Sequence, residues 1–276
     1  MIKIENLTKY FGKIKALDNL NLHIKKGEIF GLLGPNGAGK TTTIQILTTL
    51  LSPSSGKIEI DGLDIIKNAN KIKQLIGVCP QEINLDKDLS AKENLHIHGL
   101  LYKISKIDNK INDLLEWANL KNRKNNLVST YSGGMQRRLL IIRSIMHQPK
   151  ILFLDEPTIG LDPQIKRQIW DIIRKLNKEG TTILLTTHYI EETEILCHRV
   201  GILNYGKLIA MGTPQEIKAQ IGHFVVESFD NGITNYHLFE NREEAYKFAE
   251  NKNNILIRAS NLEDVFIKIT GKKIKK

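Results

Sequence analysis

Residues 29–47 read "IFGLLGPNGAGKTTTIQIL", and this stretch decides the fold. It opens with a short apolar run, continues through a glycine-rich loop and passes into a stretch with helical character. A strand that is apolar along its whole length is typical of a parallel sheet that is covered on both faces. The order of strand, glycine loop and helix therefore predicts an α/β protein with a buried sheet.

The loop "GPNGAGKT" at residues 34–41 fits the pattern G-x-x-x-x-G-K-[ST] of a phosphate-binding loop. Gly34, Gly37 and Gly39 allow backbone N–H groups to approach a polyphosphate without obstruction by a Cβ atom. Lys40 is expected to neutralise the β and γ phosphates, and the Thr41 hydroxyl to ligate Mg²⁺. The start of the following helix adds the positive end of its dipole to the same site.

The segment "ILFLDEP" at residues 151–157 is an apolar strand that ends in two acids. Burial of this strand brings Asp155 to the carboxyl edge of the sheet, where Mg²⁺ beside a phosphate loop needs a carboxylate. Glu156 is then placed to orient an attacking water. Standing alone, the two acids would be read as a solvated strand end, but the phosphate loop favours the functional interpretation.

A third segment, "STYSGGMQRRLLIIRS" at residues 129–144, predicts an amphipathic helix with an unfavourable start. Gly133 and Gly134 open this helix behind Ser132, although each glycine costs about 1 kcal/mol relative to alanine inside a helix. Bare amides behind a serine suit an anion. We therefore expect these two glycines to have a functional reason beyond helix formation.

These segments occur with "VCPQE" at residues 78–82, "TIGLDP" at 158–163 and His188 after an apolar strand. In this order and at these spacings, over about residues 2–215, they closely resemble the ATP-binding cassette (ABC) family. The resemblance implies an ATPase that uses ATP and Mg²⁺. The usual signature of the family is L-S-G-G-Q, whereas this chain has Tyr131 in place of Leu and Met135 in place of Gln.

The resemblance also implies the role of each site residue. Ser132, Gly133 and Gly134 match the signature that binds the γ-phosphate of a nucleotide held by the opposite subunit. Glu156 is the expected catalytic glutamate, His188 contacts the γ-phosphate, and Asp162 both caps a helix and lies in the loop that crosses the dimer. Phe11 is expected to stack on adenine, with Tyr10 as the alternative. The expected Mg²⁺ ligands are Thr41, Gln81 and Asp155, the last bound directly or through water. The expected ATP-binding residues are Phe11, Gly34, Pro35, Asn36, Gly37, Ala38, Gly39, Lys40, Thr41, Thr42 and Gln81.

The rest of the chain predicts the arrangement around this core. Alternating residues before position 27 indicate an antiparallel sheet, and residues 163–178 indicate a helix capped by Asp162 with Pro163 at its first position. The predicted fold is α/β: a P-loop NTPase core with a mainly parallel sheet, an N-terminal antiparallel β subdomain and a helical signature subdomain at about 85–147. We expect the ATPase domain to span residues 1–221 and a small α+β appendage to span 222–276.

Composition narrows the class of partner. The formal net charge is +10, which fits either a general excess of solvated lysines, including the tail "GKKIKK", or attraction to an anionic membrane surface. Basic residues are not interleaved with aromatic ones, so nucleic acid is not expected. Two distant cysteines, Cys79 and Cys197, suit a reducing compartment, and no apolar run is long enough to cross a bilayer. Any membrane role therefore requires another chain.

The stretch "ASNLEDVFIKITG" at residues 259–271 resembles the ending of ATPases that drive drug-resistance and other ABC-2-type exporters. The expected partners are an integral membrane permease and a second cassette, as a homodimer or a cassette heterodimer, with the chain held on the cytoplasmic face of the membrane. An alternative is a non-transport cassette that acts on ribosomes or nucleic acid, although Gln81 and Ser132 lie too close for an inserted coiled coil. A nucleotide-gated scaffold is disfavoured by Glu156 and His188.

Overall fold

The computed structural model of the chain describes residues 1–230, 233–250, 252 and 254–270. Within those ranges the strands form three sheets. The strands are β1 (Ile2–Phe11), β2 (Ile14–Ile24), β3 (Ile29–Leu33), β4 (Ser55–Ile60), β5 (Leu63–Asp64), β6 (Ile76–Cys79), β7 (Ile151–Asp155), β8 (Thr182–Thr187), β9 (Arg199–Asn204), β10 (Lys207–Gly212), β11 (Phe224–Asp230), β12 (Ile233–Phe239) and β13 (Ile255–Ala259).

The α-helices of the described residues alternate with these strands over most of the chain. They are α1 (Lys40–Leu47), α2 (Ala69–Leu75), α3 (Ala91–Leu101), α4 (Ile107–Trp117), α5 (Gly133–Ile145), α6 (Pro163–Lys178), α7 (Ile190–Leu196), α8 (Pro214–Ala219), α9 (Arg242–Ala249) and α10 (Leu262–Thr270). Within this set, no helix combines the length and the apolarity that crossing a bilayer needs.

The central sheet has the strand order β10-β9-β3-β8-β7-β6. Its strands β9, β3, β8, β7 and β6 run parallel, whereas the edge strand β10 is antiparallel to β9. Every residue of β3, β7 and β8 is buried, which confirms the predicted sheet covered on both faces. Because the strands are parallel, the carboxyl ends of β3, β6, β7 and β8 share one edge, and the phosphate loop, Gln81, Asp155, Glu156 and His188 lie at or after these ends.

The second sheet has the order β2-β1-β4-β5 and is antiparallel, as the alternating N-terminal pattern predicts. Its inner strand β1 lies between β2 and β4, so that Ile2 pairs with Ile24 on one side and with Ile60 on the other. These side chains form one apolar core with Phe30 and Phe153 of the central sheet and with the buried side of α1. The phosphate loop thus lies on a helix that is packed between two sheets.

The helical region on the other side of the central sheet consists of α3, α4 and α5. Helix α3 begins with a capping box: the Ser90 hydroxyl accepts from the Glu93 N–H, and the Glu93 carboxylate accepts from the Ser90 N–H. Helix α6 spans the predicted residues 163–178, with the Asp162 side chain accepting from the Ile165 N–H at 3.0 Å. Apolar residues of α3, α4, α5 and α6 share a second core.

The C-terminal region contains the sheet β12-β11-β13 and the helices α9 and α10. Strand β13 was not predicted, because its sequence lacks a clear alternation. Asn261 caps α10, since its side-chain oxygen accepts from the N–H groups of Glu263 and Asp264. The apolar residues Leu262 and Phe266 join the core of the ATPase region. The domain boundary at residue 221 remains a prediction, and the lysine tail at 271–276 lies outside the described residues.

Candidate nucleotide-binding and hydrolysis site

The phosphate loop connects the end of β3 to the start of α1, and its glycines meet two different requirements. Gly37 and Gly39 have φ angles of 78° and 105°, in the left-handed region that side chains rarely adopt. At Gly34 a Cβ atom would collide with the Leu203 carbonyl, whereas at Gly37 it would meet nothing within 4 Å. Helix α1 has Gly39 as its N-cap and no side-chain cap, which leaves its first N–H groups available to an anion.

Lys40 is buried at the start of α1 and donates to carbonyl groups of its own loop. Its Nζ lies 2.7 Å from the Gly34 oxygen and 3.1 Å from the Pro35 oxygen. The same Nζ lies 3.2 Å from Oε1 of Glu156, and both side chains are less than 10% exposed. Two of the residues singled out from separate motifs therefore meet in one buried ion pair.

Asp155 and Thr41 supply hard oxygen donors beside this pair. Thr41 Oγ1 donates to Asp155 Oδ1 at 3.4 Å, and the Thr186 hydroxyl of β8 donates to the same carboxylate oxygen. Burial raises the pKa of Asp155, and the two hydroxyl donors oppose that rise. A carboxylate and a hydroxyl next to a phosphate loop match the ligands that Mg²⁺ prefers, so these residues fit the ion.

Glu156 is held in an uncommon backbone conformation, with a φ of 49°. Its N–H donates to the backbone oxygen and to the hydroxyl of Thr186, both at 3.1 Å. Its Oε2 lies 2.8 Å from Nδ1 of His188, which follows β8. Positive φ at a non-glycine residue persists only where its surroundings enforce it, and such residues cluster at functional sites.

The loop that follows β6 and contains Gln81 and Asn84, called here the Gln81 loop, is hydrogen-bonded to α5. The bonds come from an arginine that the sequence did not single out. Gln81 is exposed, two residues after the end of β6. Arg137 of α5 is buried, and its guanidinium donates to the carbonyl groups of Pro80 at 2.8 Å and Gln81 at 2.7 Å. Its sequence signal is a charged residue between Gly134 and Ile141, at helical spacing along the buried side of α5.

The signature residues occupy the start of α5. Ser132 is the N-cap, and its hydroxyl oxygen accepts from the Met135 N–H at 3.3 Å, so the serine caps the helix while its proton remains available for donation. Gly133 is exposed and has open space around its Cα. Gly134 is buried, and a Cβ atom there would lie 2.8 Å from Cγ2 of Ile165. The second glycine is therefore also required by packing within the subunit.

The departure at Tyr131 has a structural reason. Its side chain is buried, and its hydroxyl donates to the Arg123 carbonyl at 2.7 Å.

Among the described residues, no hydrogen bond or ion pair joins Ser132, Gly133 or Gly134 to the phosphate loop of the same chain. Within the described part of the subunit, these contacts do not join the start of α5 to the phosphate loop.

The candidate adenine-stacking residues Phe11 and Tyr10 both lie at the end of β1, where each is nearly half exposed. Lys9 Nζ lies 5.2 Å from the Phe11 ring centre, and Lys15 Nζ lies 5.4 Å from the Tyr10 ring centre. Their similar exposure leaves the choice between the two rings open.

The chain is similar in sequence and in fold to known proteins. The family model for the ABC transporter ATPase domain matches residues 17–159. The Nod factor export ATP-binding protein I of Cupriavidus metallidurans is 39% identical over 100% of this chain and 99% of its own length. The linearmycin resistance ATP-binding protein LnrL of Bacillus subtilis is 42% identical over 80% of this chain and 72% of its own length. The chain therefore belongs to the ABC transporter family, as an ATP-binding ATPase subunit.

Solved structures support the same assignment. A dimeric post-hydrolysis ATP-binding cassette bound to ADP and Pi has a TM-score of 0.71 and 31% identity, over 77% of this chain and 98% of its own. The structure of an ATP binding subunit of an ABC transporter has a TM-score of 0.73 and 26% identity, over 80% and 92%. The predicted family and fold class are confirmed.

Proposed function

We propose that this chain energises an ABC-2-type exporter by hydrolysing ATP between two cassettes that associate head to tail. The observation that carries the proposal is the buried cluster of Lys40, Glu156 and His188 at the carboxyl edge of the sheet. Both carboxylate oxygens of Glu156 contact side chains that the family uses on the γ-phosphate. When a γ-phosphate binds Lys40 and His188, these side chains leave the Glu156 carboxylate. The carboxylate is then available to a water molecule.

Each residue then has a role in hydrolysis. The loop amides and Lys40 bind the β and γ phosphates, His188 contacts the γ-phosphate, and Glu156 orients the attacking water and accepts its proton. Thr41, Asp155 and Gln81 would hold Mg²⁺, which would neutralise charge at the phosphates.

The second subunit completes the site. Ser132 and Gly133 are exposed at the start of α5, where the helix dipole and free donors attract an anion. Among the described residues, no hydrogen bond or ion pair joins them to their own phosphate loop, and we propose that the phosphate they bind belongs to a nucleotide on a partner. Asp162, at the start of α6, lies in the loop expected to cross between the subunits.

We propose that ATP hydrolysis by this subunit drives a membrane permease. Helix α3 follows the Gln81 loop and exposes Leu100 and Leu101 by 61% and 75%, together with Ile97. The same loop is joined to α5 at two points: by Arg137, and by the Arg143 guanidinium, which donates to the carbonyl and side-chain oxygens of Asn84. We propose that a cytoplasmic segment of the permease covers α3 and the Gln81 loop and holds the chain at the membrane.

The hydrolytic role is tested with Glu156→Gln. The amide has nearly the same shape but cannot accept the proton of water, so ATP binding is expected to persist while turnover falls at least a hundredfold, within the range that general base catalysis contributes. ATP binding is measured by nucleotide titration, and turnover by phosphate release. Near-normal turnover in this variant would exclude Glu156 as the general base.

The permease is tested by purifying the tagged chain from solubilised membranes. Leu100→Asp with Leu101→Asp is expected to abolish recovery of one integral membrane protein without changing ATP hydrolysis by the detached subunit. Leu50→Asp is the matched control, because Leu50 is as exposed as Leu101 but follows α1 and belongs to neither α3 nor the Gln81 loop. Recovery of ribosomes, unaffected by the α3 substitutions, would favour the non-transport alternative.

A further inference from the structure

A buried carboxyl group lies directly behind the hydrolysis site and belongs to none of the motifs described above. Glu192, in the first turn of α7, is 0% exposed. Its Oε1 accepts from the Thr158 hydroxyl at 3.0 Å and from the Trp170 indole N–H at 3.1 Å. Its Oε2 meets no hydrogen-bond partner in the described part of the chain. A carboxyl group is rarely buried so completely without a role for its hydrogen bonds.

The contacts of Glu192 run beside the contact between the two catalytic residues. Glu156 and His188 are joined by side chains at 2.8 Å. Two residues beyond Glu156, Thr158 is joined in the same manner to Glu192, which lies four residues beyond His188. Two side-chain contacts therefore join the segment after β7, called here the catalytic loop, to the segment after β8. One joins Glu156 to His188, and the other joins Thr158 to Glu192.

The helix that follows the catalytic loop is fixed to the same segment. Trp170 of α6 donates to Glu192, and one turn earlier Lys166 Nζ lies 3.8 Å from the ring centre of Tyr189. The Tyr189 ring lies 4.1 Å from the His188 ring. Helix α6, whose first turn follows Asp162 at the expected subunit boundary, therefore contacts the segment that carries His188 at two points.

The environment of Glu192 favours the neutral acid. Burial raises the pKa of its carboxyl group, the hydroxyl groups of Thr187 and Thr158 and the indole of Trp170 oppose that rise, and the charge of Glu156 adds to it. The amide of glutamine resembles this neutral acid, because its oxygen can accept the same two bonds from Thr158 and Trp170 while its NH₂ group takes the place of the protonated oxygen.

We propose that Glu192 is a positioning residue for ATP hydrolysis: its carboxyl oxygen holds Thr158 and Trp170 so that Glu156 and His188 keep the spacing that the reaction needs. The inference rests on the proposed roles of Glu156 and His188. It assigns Glu192 no contact with the nucleotide, so its loss acts on turnover and leaves ATP affinity unchanged.

The test compares Glu192→Leu with Glu192→Gln in the full chain. We expect kcat to fall roughly a hundredfold in Glu192→Leu, the loss that a misplacement of about 1 Å produces, with the dissociation constant for ATP unchanged within about twofold. Glu192→Gln is expected to restore most of kcat. Glu28→Leu is the matched control for stability: Glu28 is also buried, accepts from the Lys25 N–H and pairs with Arg199, but it precedes β3, at the end opposite the phosphate loop.

Three results would overturn the proposal: wild-type kcat in folded Glu192→Leu, a Glu192→Gln variant as inactive as Glu192→Leu, or an equal loss of kcat in Glu28→Leu at the same melting temperature. If Glu192→Leu does not fold, Thr158→Val tests the same contact. It should lower kcat about tenfold, the smaller end of what one misplaced group costs, while Thr158→Ser restores it. Full activity in Thr158→Val would then refute the role. Wild-type turnover in Glu156→Gln, run in parallel, identifies a failure of the proposed function instead.

Discussion

Replacement of Gly133 by aspartate separates the role of the signature in the monomer from its role in the dimer. Gly133 is the first residue of α5, is exposed, and has nothing within 4 Å of the position that a Cβ atom would take. A carboxylate at this position therefore meets no obstacle within the subunit. It lies at the positive end of the helix dipole, where the proposed γ-phosphate of the partner binds.

The expected effects have opposite signs. In the monomer, the negative charge stabilises the helix start by about 0.3–1 kcal/mol, and loss of glycine adds about 0.5 kcal/mol at most at this terminal position. In the closed dimer, two like charges about 4 Å apart repel by about 4 kcal/mol at an effective dielectric constant of 20. Since each 1.4 kcal/mol or so is a factor of ten, hydrolysis should fall by about three orders of magnitude.

The assay pairs urea unfolding with phosphate release. Gly133→Asp should unfold at an equal or higher urea concentration than the wild type and bind ATP normally as a monomer, yet lose turnover. Gly133→Asn is the matched control, because it has the same shape without the charge and should lose less activity. Gly134 is unsuitable for this test, since a side chain there conflicts with Ile165 in the same subunit and destabilises it by about 1–3 kcal/mol. Wild-type turnover in folded Gly133→Asp would refute the reasoning.

Three further predictions follow from the structure. Phe11→Ala should weaken ATP binding by about 1–2 kcal/mol if Phe11 stacks on adenine, and Tyr10→Ala should leave it unchanged, as read by nucleotide titration; the reverse order would assign the role to Tyr10. Arg137→Met leaves the Gln81 carbonyl without its donor and should lower both the free energy of unfolding, by about 1–3 kcal/mol, and turnover; unchanged values of both would exclude this link. Burial lowers the pKa of His98 to about 4 from 6.5, so the unfolded chain binds more protons between these values and stability should fall as pH falls through that window, by at most about 3 kcal/mol. Urea unfolding of His98→Asn should lack this component, and an unchanged pH dependence would contradict it.

The sequence predicts the parts of this protein that local patterns determine. The phosphate loop needs glycines at fixed intervals, and helix α6 has its cap, its proline and its apolar spacing within one short segment. Asp155 and Glu156 could be placed because a buried parallel strand has a defined end. In each case the relevant physics acts between residues that are close in the chain.

The missed features depend on contacts between distant segments. The Arg137 guanidinium donates to carbonyl groups of residues more than fifty positions away in the chain. Glu192 of α7 accepts a hydrogen bond from Thr158, which lies 34 positions earlier. The sequence indicates only a phosphate-binding role for Gly134. The structure adds a packing reason, because a Cβ atom at this position would be too close to Ile165. No periodicity reports these contacts, because a buried polar residue on a helix looks like an exposed one until the fold determines what faces it.

The most direct test of the proposed mechanism is the molar mass of Glu156→Gln in solution, measured by size-exclusion chromatography with light scattering. With Mg²⁺ and ATP, the variant should elute as a dimer, because nucleotide joins the phosphate loop of one subunit to the Ser132 helix start of the other. With ADP, or with ATP and the added substitution Gly133→Asp, it should elute as a monomer. A monomer under all conditions, or a dimer that Gly133→Asp does not disturb, would contradict hydrolysis at a site shared between two subunits.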